Sequence, residues 1–398
     1  MKIGIVTFSI DARDGGSSTL IGTILDELQN DNKGYEIVYI YSDPSIKKIK
    51  FDSDGRHYIN PSAYKRKHLL KMWEKQFSLL WNNIRNFFML RPMSHTLVSA
   101  FDMIADEEHI DIYWFMAPVL ELLATPYIYT VWDIGHRVFP YVPETCGSMS
   151  NWSNREQTYS EMLYRAAYIL TGNETGKREI LQNYPVIPDK IRILPFPVSS
   201  FCKGEETIPK KQIPESYYLY PAQFWPHKNH IRIIQAIKYL KENKNIQCNV
   251  VFTGSDKLNM GYIMGKAREY GISENVFNLG FVETTELKYL YTHAKALIFA
   301  SLMGPNNIPP IEAIALDCPV IITGIEGHKE QLGDSALYFE GLSYESLAEC
   351  VLKVENGIFP DDTSRFKAAE LKKEWQDYDY AVCVFDILDE FQRYRELY

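Results

Sequence analysis

Short apolar runs alternate with longer amphipathic stretches along most of this chain. The short runs are rich in β-branched and aromatic residues, which favours strands, whereas the longer stretches carry apolar residues every three or four positions, which favours helices. This alternation is typical of βαβ units, in which parallel strands are joined by helices. The pattern therefore predicts an α/β protein built from two Rossmann-like, doubly wound domains.

In the first half, six runs predict strands: Lys2–Phe8, Glu36–Tyr41, Ile110–Phe115, Tyr127–Trp132, Tyr168–Thr171 and Lys190–Leu194. Helical periodicity appears in four stretches: Ser18–Leu28, Tyr64–Phe88, Glu156–Ala166 and Thr175–Asn183. The first apolar run contains Gly4 and breaks at Asp11, so we interpret it as a strand and not as a signal peptide.

The second half repeats the pattern. Its predicted strands are Tyr217–Tyr220, Cys248–Phe252, Val276–Leu279, Ala296–Ala300, Val320–Ile322 and Ala336–Phe339. Its predicted helices are Ile231–Lys241, Met260–Tyr270, Thr285–Ala294, Pro310–Leu316 and Tyr344–Asn356. Two such domains leave a cleft between the carboxyl ends of their strands, which is the usual ligand site of this architecture.

The domain boundary is marked by a change in composition. The segment 195–215, PFPVSSFCKGEETIPKKQIPE, is rich in Pro, Gly, Ser and charge, as linkers are. We predict an N-terminal domain over residues 1–200, a linker over 201–215 and a C-terminal domain over 216–375. The last helix, 376–398, is expected to return to the N-terminal domain.

Composition narrows the function classes. The 398 residues are 46% hydrophobic and carry a net charge of −9, which argues against disorder and against an overall electrostatic footprint for nucleic acid. Six cysteines are scattered without a Cys-x-x-Cys pair, which favours reduced thiols in the cytoplasm over a zinc site or disulfides. No run of 18 apolar residues occurs, so no transmembrane helix is predicted.

One stretch, SLMGPNNIPPIEAIALDCPVI at 301–321, places asparagines, prolines and one carboxylate between a strand pattern and a helix pattern. Asn306 and Asn307 are good N-cap residues, and proline is tolerated in a first helical turn. A helix that begins here presents its backbone N–H groups to the cleft, where they suit an anion. The oxygens of Glu312 suit sugar hydroxyls, although an acid in the first turn is also a common way to satisfy the helix dipole.

A second turn has a similar character. In YYLYPAQFWPHKNHIRIIQAI, residues 217–237, a strand ends at Tyr220 and Lys228 precedes a helix. A lysine in this position supplies a point charge for phosphate, or is simply solvated at a helix start. Two phosphate-suited turns in one domain favour the first interpretation.

With these stretches, the chain resembles the retaining nucleotide-sugar glycosyltransferases of family 4, which have the GT-B fold and include enzymes of O-antigen, capsule and other polysaccharide synthesis. The resemblance rests on TVWDIGHRVFPYVPE (130–144), YPAQFWPHKNH (220–230), VFNLGFVETTELKYLYTHAKALIFASL (276–302) and GPNNIPPIEAIALDCPVIITGIEGHKEQLGDSALYFE (304–340). It covers nearly the whole chain and is strongest in the second domain.

The resemblance implies that the C-terminal domain binds the nucleotide sugar and the N-terminal domain binds the acceptor. Lys228 would neutralise the departing diphosphate, and Glu312 would hold the ribose. The other implied donor contacts lie in turns of both domains: Gly15, Gly16, Gln223, Asn229, Gly254, Phe281, Val282, Asn306, Asn307 and Ile308.

The chain departs from the family pattern at three positions. Gly304 stands where the family usually has a Glu, Gln223 where it has an Arg, and Trp132 where it has a His. We predict that His136 replaces that histidine and acts with Asp133 near the reacting sugar, with Arg137 on the acceptor side.

The resemblance also implies transfer with retention through an oxocarbenium-like state. No pair of carboxylates at nucleophile spacing and no Asp-x-Asp motif stands out, so we expect front-face attack without a metal or other cofactor. The donor would be a GDP- or UDP-linked sugar, and the acceptor a saccharide.

Residues 64–91 are locally basic in an otherwise acidic chain. Trp73 and Phe77 lie on one helical face with Leu80, Ile84 and Phe87, and one acid accompanies seven basic residues: Lys65, Arg66, Lys67, Lys71, Lys75, Arg85 and Arg91. Such a helix suits an anionic membrane surface and a lipid-linked acceptor at the inner face of the cytoplasmic membrane. It equally suits a core helix with a solvated basic rim.

Two other function classes stay open. A non-catalytic nucleotide-sugar-binding subunit would be compatible with Gly304 and Gln223. A nicotinamide oxidoreductase ranks last, because no Gly-x-Gly-x-x-Gly follows the first strand.

Overall fold

The computed structural model describes residues 1–7, 16–30, 32–41, 58–59, 61, 64, 68–88, 99–146 and 149–397. Within these ranges the chain forms two parallel sheets, each covered by helices. The predicted α/β class with two doubly wound domains is confirmed.

The first sheet has seven strands in the described part of the chain, in the order β3-β2-β1-β4-β5-β6-β7. Most of these strands are continuous apolar runs, because helices cover both faces of the sheet. The strands are β1 (Lys2–Thr7), β2 (Glu36–Tyr41), β3 (Tyr58–Ile59), β4 (Ile112–Phe115), β5 (Tyr127–Thr130), β6 (Tyr168–Thr171) and β7 (Ile191–Ile193). The helices are α1 (Gly16–Asn30), α2 (Leu69–Phe88), α3 (Ala100–Glu108), α4 (Gly135–Val138), α5 (Pro143–Cys146), α6 (Met149–Arg165) and α7 (Glu174–Asn183).

The second sheet has six strands, in the order β10-β9-β8-β11-β12-β13. They are β8 (Tyr218–Pro221), β9 (Val250–Thr253), β10 (Val276–Gly280), β11 (Ala296–Phe299), β12 (Val320–Thr323) and β13 (Ala336–Phe339). The accompanying helices are α8 (His230–Lys244), α9 (Met260–Glu269), α10 (Thr284–Thr292), α11 (Ile308–Ala315), α12 (Glu326–Leu332), α13 (Tyr344–Glu355) and α14 (Asp362–Gln376).

The last helix, α15 (Tyr380–Glu396), packs on the first sheet, as predicted. Its buried residues belong to the same apolar cluster as β1 and α1. The Phe385 ring stacks on Tyr35 with centroids 5.2 Å apart, and Tyr380 stacks on Trp114 at 6.2 Å. The chain therefore crosses between the domains twice.

The two domains also touch at the start of α7. The Glu330 carboxylate on α12 accepts hydrogen bonds from the backbone amides of Glu174 and Thr175 at 2.6 and 2.9 Å. Beside it, Arg178 forms an ion pair with Glu326 at 2.7 Å. A carboxylate at a helix N-terminus is stabilised by the helix dipole, so these contacts fasten the C-terminal domain to one wall of the N-terminal domain.

None of the helices in the described ranges has the length and apolar character that crossing a bilayer requires.

Candidate functional site

A cavity of about 290 Å³ lies between the two domains, at the carboxyl ends of the parallel strands. Lys228 and Glu312 both line it, so the two side chains predicted to hold the diphosphate and the ribose share one hollow. The N-terminal domain and the segment after it contribute Gly16, Thr19, Leu20, Trp132, Phe196 and Phe201. The C-terminal domain contributes most of the other predicted donor residues: Gln223, Gly254, Phe281, Val282, Asn306, Asn307 and Ile308.

Lys228 ends a short 3-10 turn, Pro226–Lys228, directly after β8. Among the described residues, its ammonium has only long contacts with polar atoms, 3.3 Å to the Ser301 hydroxyl and 3.4 Å to Oδ1 of Asn307. It lies 5.2 Å from the centre of the Phe299 ring. Burial lowers the pKa of Lys228 to about 8, although nearby acids oppose the shift. A cation with so few strong protein partners has room to bind an anion.

Glu312 is the fifth residue of α11, so it lies just beyond the first helical turn in which the sequence analysis placed it. Its side chain is buried, with 4% of its surface exposed. One of its oxygens accepts a hydrogen bond from the Ser199 hydroxyl at 2.5 Å, and the other accepts one from the Tyr291 hydroxyl at 2.7 Å. Burial raises the pKa of Glu312 in spite of these two bonds. Ser199 and Tyr291 therefore fix the carboxylate in position, while each oxygen keeps a further lone pair for a ligand hydroxyl.

The loop before α11 is held by Asn307. Its side-chain amide donates to the Gly304 carbonyl at 3.1 Å and to Nε2 of His328 at 2.9 Å. Its backbone carbonyl accepts a hydrogen bond from the side-chain amide of Gln331 at 2.8 Å. Burial lowers the pKa of His328 to about 3, so its ring is neutral and Nε2 can accept. This network holds Oδ1 of Asn307 toward Lys228.

Gly304 has a physical reason to be glycine. Its φ is +108°, in the region that L side chains rarely adopt, and a Cβ there would lie 2.8 Å from the Asn307 amide nitrogen. The carboxylate that the family usually has here would need a different backbone. Gly254 is similarly constrained. Its φ is +116°, and a Cβ there would clash with the Ala222 carbonyl oxygen at 2.6 Å.

The side chains of Gln223 and Asn229 have partners of their own. The Gln223 carbonyl accepts from the indole N–H of Trp225 at 2.9 Å at the edge of the cavity. Asn229, with φ +58°, donates to the Gly341 carbonyl at 2.8 Å and is not among the described residues that line the cavity. Asn229 therefore shapes the turn that carries Lys228.

His136 does not reach the cavity. Its ring is fully buried in the N-terminal domain, where Nε2 lies 3.2 Å from Glu156 and 3.1 Å from the Tyr184 hydroxyl, and it stacks on Tyr159. Arg137 is bound to the same Glu156, with 2.7 Å between Nε and Oε2. The cavity-facing position belongs instead to Trp132, the residue that stands where the family has its histidine.

Asp133 lies beside this cluster and is also paired. Its Oδ1 accepts from Arg155 at 2.6 Å and from the Gly135 amide at 2.7 Å. Burial would raise the pKa of Asp133, but Arg155 and the amide hold it below its ordinary value. Asp133 is thus a permanent negative charge near the cleft and is not among the described cavity-lining residues.

Some predicted residues cannot be placed. Gly15, Lys65, Arg66 and Lys67 lie outside the described residues. Gly16 begins α1 and lines the cavity. A Cβ added to it would lie 3.6 Å from Cδ1 of Ile308. Lys71 is exposed on α2 and is not among the described residues that line the cavity.

Sequence reasoning missed several residues of the site. Ser199 and Tyr291 hold Glu312, His328 supports Asn307, and Glu144 of α5 contacts His227 across the domains. No local pattern singles these residues out, because each contact joins positions far apart in the chain. A hint lay in Glu144, which ends the motif 130–144 that carries the family resemblance.

With this geometry in view, comparison with known proteins identifies the C-terminal half. The family model described as Glycosyl transferases group 1 matches residues 204–372. Residues 204–372 are therefore similar to group 1 glycosyl transferases in sequence. This segment contains all the residues of the second sheet, as well as Lys228 and Glu312.

Two bacterial proteins resemble this chain in sequence. O-antigen chain mannosyltransferase RfbU of Salmonella typhimurium is 31% identical over 202 residues, which are 51% of this chain and 54% of the relative. O-antigen chain mannosyltransferase B of Escherichia coli is 25% identical over 211 residues, 50% of this chain and 54% of the relative. The chain thus spans about half the length of the curated relatives it matches.

Solved structures extend the likeness to the whole chain. A glycosyltransferase from Rickettsia africae ESF-5 superposes with a TM-score of 0.67 at 14% identity and covers 98% of both chains. At this identity the likeness concerns the fold. The two domains together therefore form the GT-B fold.

Proposed function

We propose that this protein is a retaining glycosyltransferase that moves a hexose from a nucleotide sugar to a saccharide acceptor in surface polysaccharide synthesis. The observation that carries the proposal is the shared cavity, in which Lys228 and Glu312 face the same space between the domains. A diphosphate beside Lys228 would leave the ribose hydroxyls within reach of Glu312.

The donor in this proposal is a GDP- or UDP-linked sugar. Both relatives described above are named O-antigen chain mannosyltransferases, which supports mannose as the transferred hexose and a role in lipopolysaccharide or capsule assembly. Phe281 and Val282 would flank the base, and the loop 304–308 would meet the sugar. Phe281 is 40% exposed at the edge of the cavity, as a stacking surface should be.

The proposed mechanism is front-face attack of the acceptor hydroxyl, helped by the departing diphosphate. Lys228 would stabilise the negative charge that develops on the leaving group, together with the backbone amides at the start of α11. Because these groups can supply the positive charge, we propose that the reaction needs no metal or other cofactor. Full activity after dialysis against EDTA supports this part of the proposal, and activity restored only by a divalent cation contradicts it.

The acceptor would be lipid-linked, at the inner face of the cytoplasmic membrane. The support is α2, one face of which presents six large apolar side chains to solvent: Leu69, Leu70, Trp73, Phe77, Leu80 and Trp81, each 54–81% exposed. An exposed apolar face of this kind marks an interaction surface, and the basic character of the sequence 64–91 suits anionic lipid.

Liposome flotation tests this membrane contact. We expect the wild type to float with vesicles of phosphatidylglycerol and phosphatidylethanolamine, and the double variant Trp73→Glu/Phe77→Glu to remain at the bottom of the gradient. Ile208→Glu is the matched control, because Ile208 is 72% exposed but lies in the linker region. Equal flotation of all three proteins would end the membrane proposal.

The alternative is a non-catalytic subunit that binds nucleotide sugars. It is favoured by Gln223, which is neutral where the family has an arginine. Slow release of nucleotide from a sugar nucleotide, abolished in Lys228→Ala and Glu312→Ala, supports the enzyme. Binding of nucleotide sugar without any release, even with membrane-extracted acceptors, supports the subunit.

A thermal-shift panel identifies the donor. A ligand that binds only the folded protein raises its melting temperature. We expect GDP- or UDP-sugars to raise it, with ADP- and dTDP-sugars as comparison ligands. If no nucleotide sugar shifts the transition at millimolar concentration, the proposed function is wrong.

A further inference from the structure

An acid of the N-terminal domain grips the turn that carries Lys228. Oε1 of Glu144 accepts a hydrogen bond from the His227 backbone amide at 2.9 Å and contacts Nδ1 of the same residue. Both side chains are almost inaccessible, at 9% and 10% exposed. His227 immediately precedes Lys228, and its carbonyl accepts from the Leu302 amide at 2.9 Å.

The second oxygen of Glu144 is the unusual feature. Oε2 is buried, and among the described residues no donor forms a hydrogen bond with it. A buried carboxylate oxygen without a partner is costly unless its charge is needed nearby. The Glu144 charge, after that of Asp133, favours the protonated form of Lys228, whose own polar contacts are long.

The lysine and the acids that favour its charge therefore come from opposite domains. Lys228 belongs to the C-terminal domain, whereas Glu144 and Asp133, the two acids whose charges favour its protonated form, belong to the N-terminal domain. Only when the domains are in contact does the ammonium have these counter-charges. Contact between the domains also fixes the turn through His227.

We propose that Glu144 is a positioning residue for Lys228, which holds the lysine's turn in place and keeps its ammonium charged when the two domains meet. This inference rests on the proposed function for its consequence in catalysis, but the effect on Lys228 itself does not require a substrate. Donor binding would then depend on a residue outside the donor-binding domain.

The titratable groups around Lys228 bear on any pH effect. His230 and His328 are buried and neutral, with pKa values lowered to about 3, and the pKa of His227 is also lowered by burial. Asp133 and Glu144 are both held below their ordinary pKa values by their partners. Near neutral pH and above, Lys228 is thus the group of this set expected to change charge.

Acetylation of Lys228 by acetic anhydride, followed by peptide mass spectrometry across pH 6–10, tests the charge directly in the full-length, nucleotide-free protein. Only the neutral amine reacts, so the rate reports the pKa. Glu144→Gln keeps an oxygen that accepts both hydrogen bonds and removes the charge. We expect its midpoint to fall by about one pH unit, because one of the two opposite charges that favour the ammonium is lost.

Binding of GDP and UDP, measured by calorimetry on the same proteins, tests the consequence. At pH 8 the protonated fraction of Lys228 would fall from about a half to a tenth, which predicts a roughly fivefold weaker affinity for Glu144→Gln. At pH 6 the affinity should equal that of the wild type. Glu144→Ala also loses the grip on His227 and should bind more weakly than the glutamine variant at both pH values.

The control is Glu161→Gln, which removes an exposed acid on α6 and should behave as the wild type. An unchanged labelling midpoint in Glu144→Gln would overturn the charge role, and equal affinities of the alanine and glutamine variants at pH 6 would overturn the positioning role. A shifted midpoint in a protein that binds neither nucleotide would support Glu144 while refuting the proposed function.

Discussion

The two walls of the cleft are built on different electrostatic plans. On the wall of the C-terminal domain, the described residues give Lys228 two long polar contacts and give each oxygen of Glu312 one hydrogen bond. On the opposite wall, Asp133 is paired with Arg155, and Arg137 with Glu156. The first wall keeps capacity for a ligand, whereas the second largely satisfies its own charges.

A charged residue near a cleft is available to a ligand where its protein partners are few and distant. A strand-to-helix turn exposes backbone amides and a side chain at a fixed place, so Lys228 and Asn307 could be located from local pattern. A histidine or arginine that follows a strand can instead turn inward, as His136 does. Its partner Glu156 lies twenty residues further along the chain, on α6.

Lys228→Met keeps the length of the side chain and removes the positive charge of the C-terminal wall. We expect a roughly 100-fold weaker affinity for GDP or UDP, since a charge-assisted contact to phosphate is lost. Calorimetry at pH 7 measures it. An affinity within threefold of the wild type would mean that the diphosphate does not lie beside this lysine.

Glu312→Gln should weaken nucleotide binding less, by roughly tenfold, because one acceptor of the ribose is lost. It should also raise the melting temperature at pH 7. The raised pKa of Glu312 means that the folded state loses stability as pH rises from the unfolded pKa toward the folded one, and glutamine does not ionise. Melting curves of the wild type and the variant at pH 5 and 7 check the sign of this effect. A variant that melts at a lower temperature than the wild type at pH 7 would contradict it.

His136→Gln should leave nucleotide affinity unchanged. The ring is buried between Glu156, Tyr184 and Tyr159, so its loss should lower the free energy of unfolding by about 1–3 kcal/mol. Urea unfolding and calorimetry on one preparation separate the two effects. A stable variant that has lost glycosyl transfer would return His136 to the catalytic role that the sequence suggested.

Much of the architecture was accessible from sequence because the strands are short, continuous apolar runs. All twelve predicted strands overlap observed ones. The structure adds β3, which is only two residues long, and four helices that are too short for clear periodicity, α3, α4, α5 and α12. Helix α6 begins at Met149, seven residues before the predicted Glu156, because its first turns are polar and lack an apolar stripe.

The site was only partly accessible, for a physical reason. The residues that aim Glu312 come from positions 199 and 291, and the acid that grips the Lys228 turn comes from position 144. Such contacts depend on how the domains meet, which local pattern does not encode. The role of Gly304 likewise became clear only from its positive φ and the nearby Asn307 amide.

Protection of Lys228 from acetylation by nucleotide measures whether a nucleotide binds beside this lysine. With increasing GDP or UDP, the acetylation rate of Lys228 should fall along a saturable curve, with a midpoint equal to the calorimetric Kd. The exposed Lys353 should label at a constant rate. Nucleotide that binds while Lys228 stays fully reactive would place the ligand elsewhere and contradict the account.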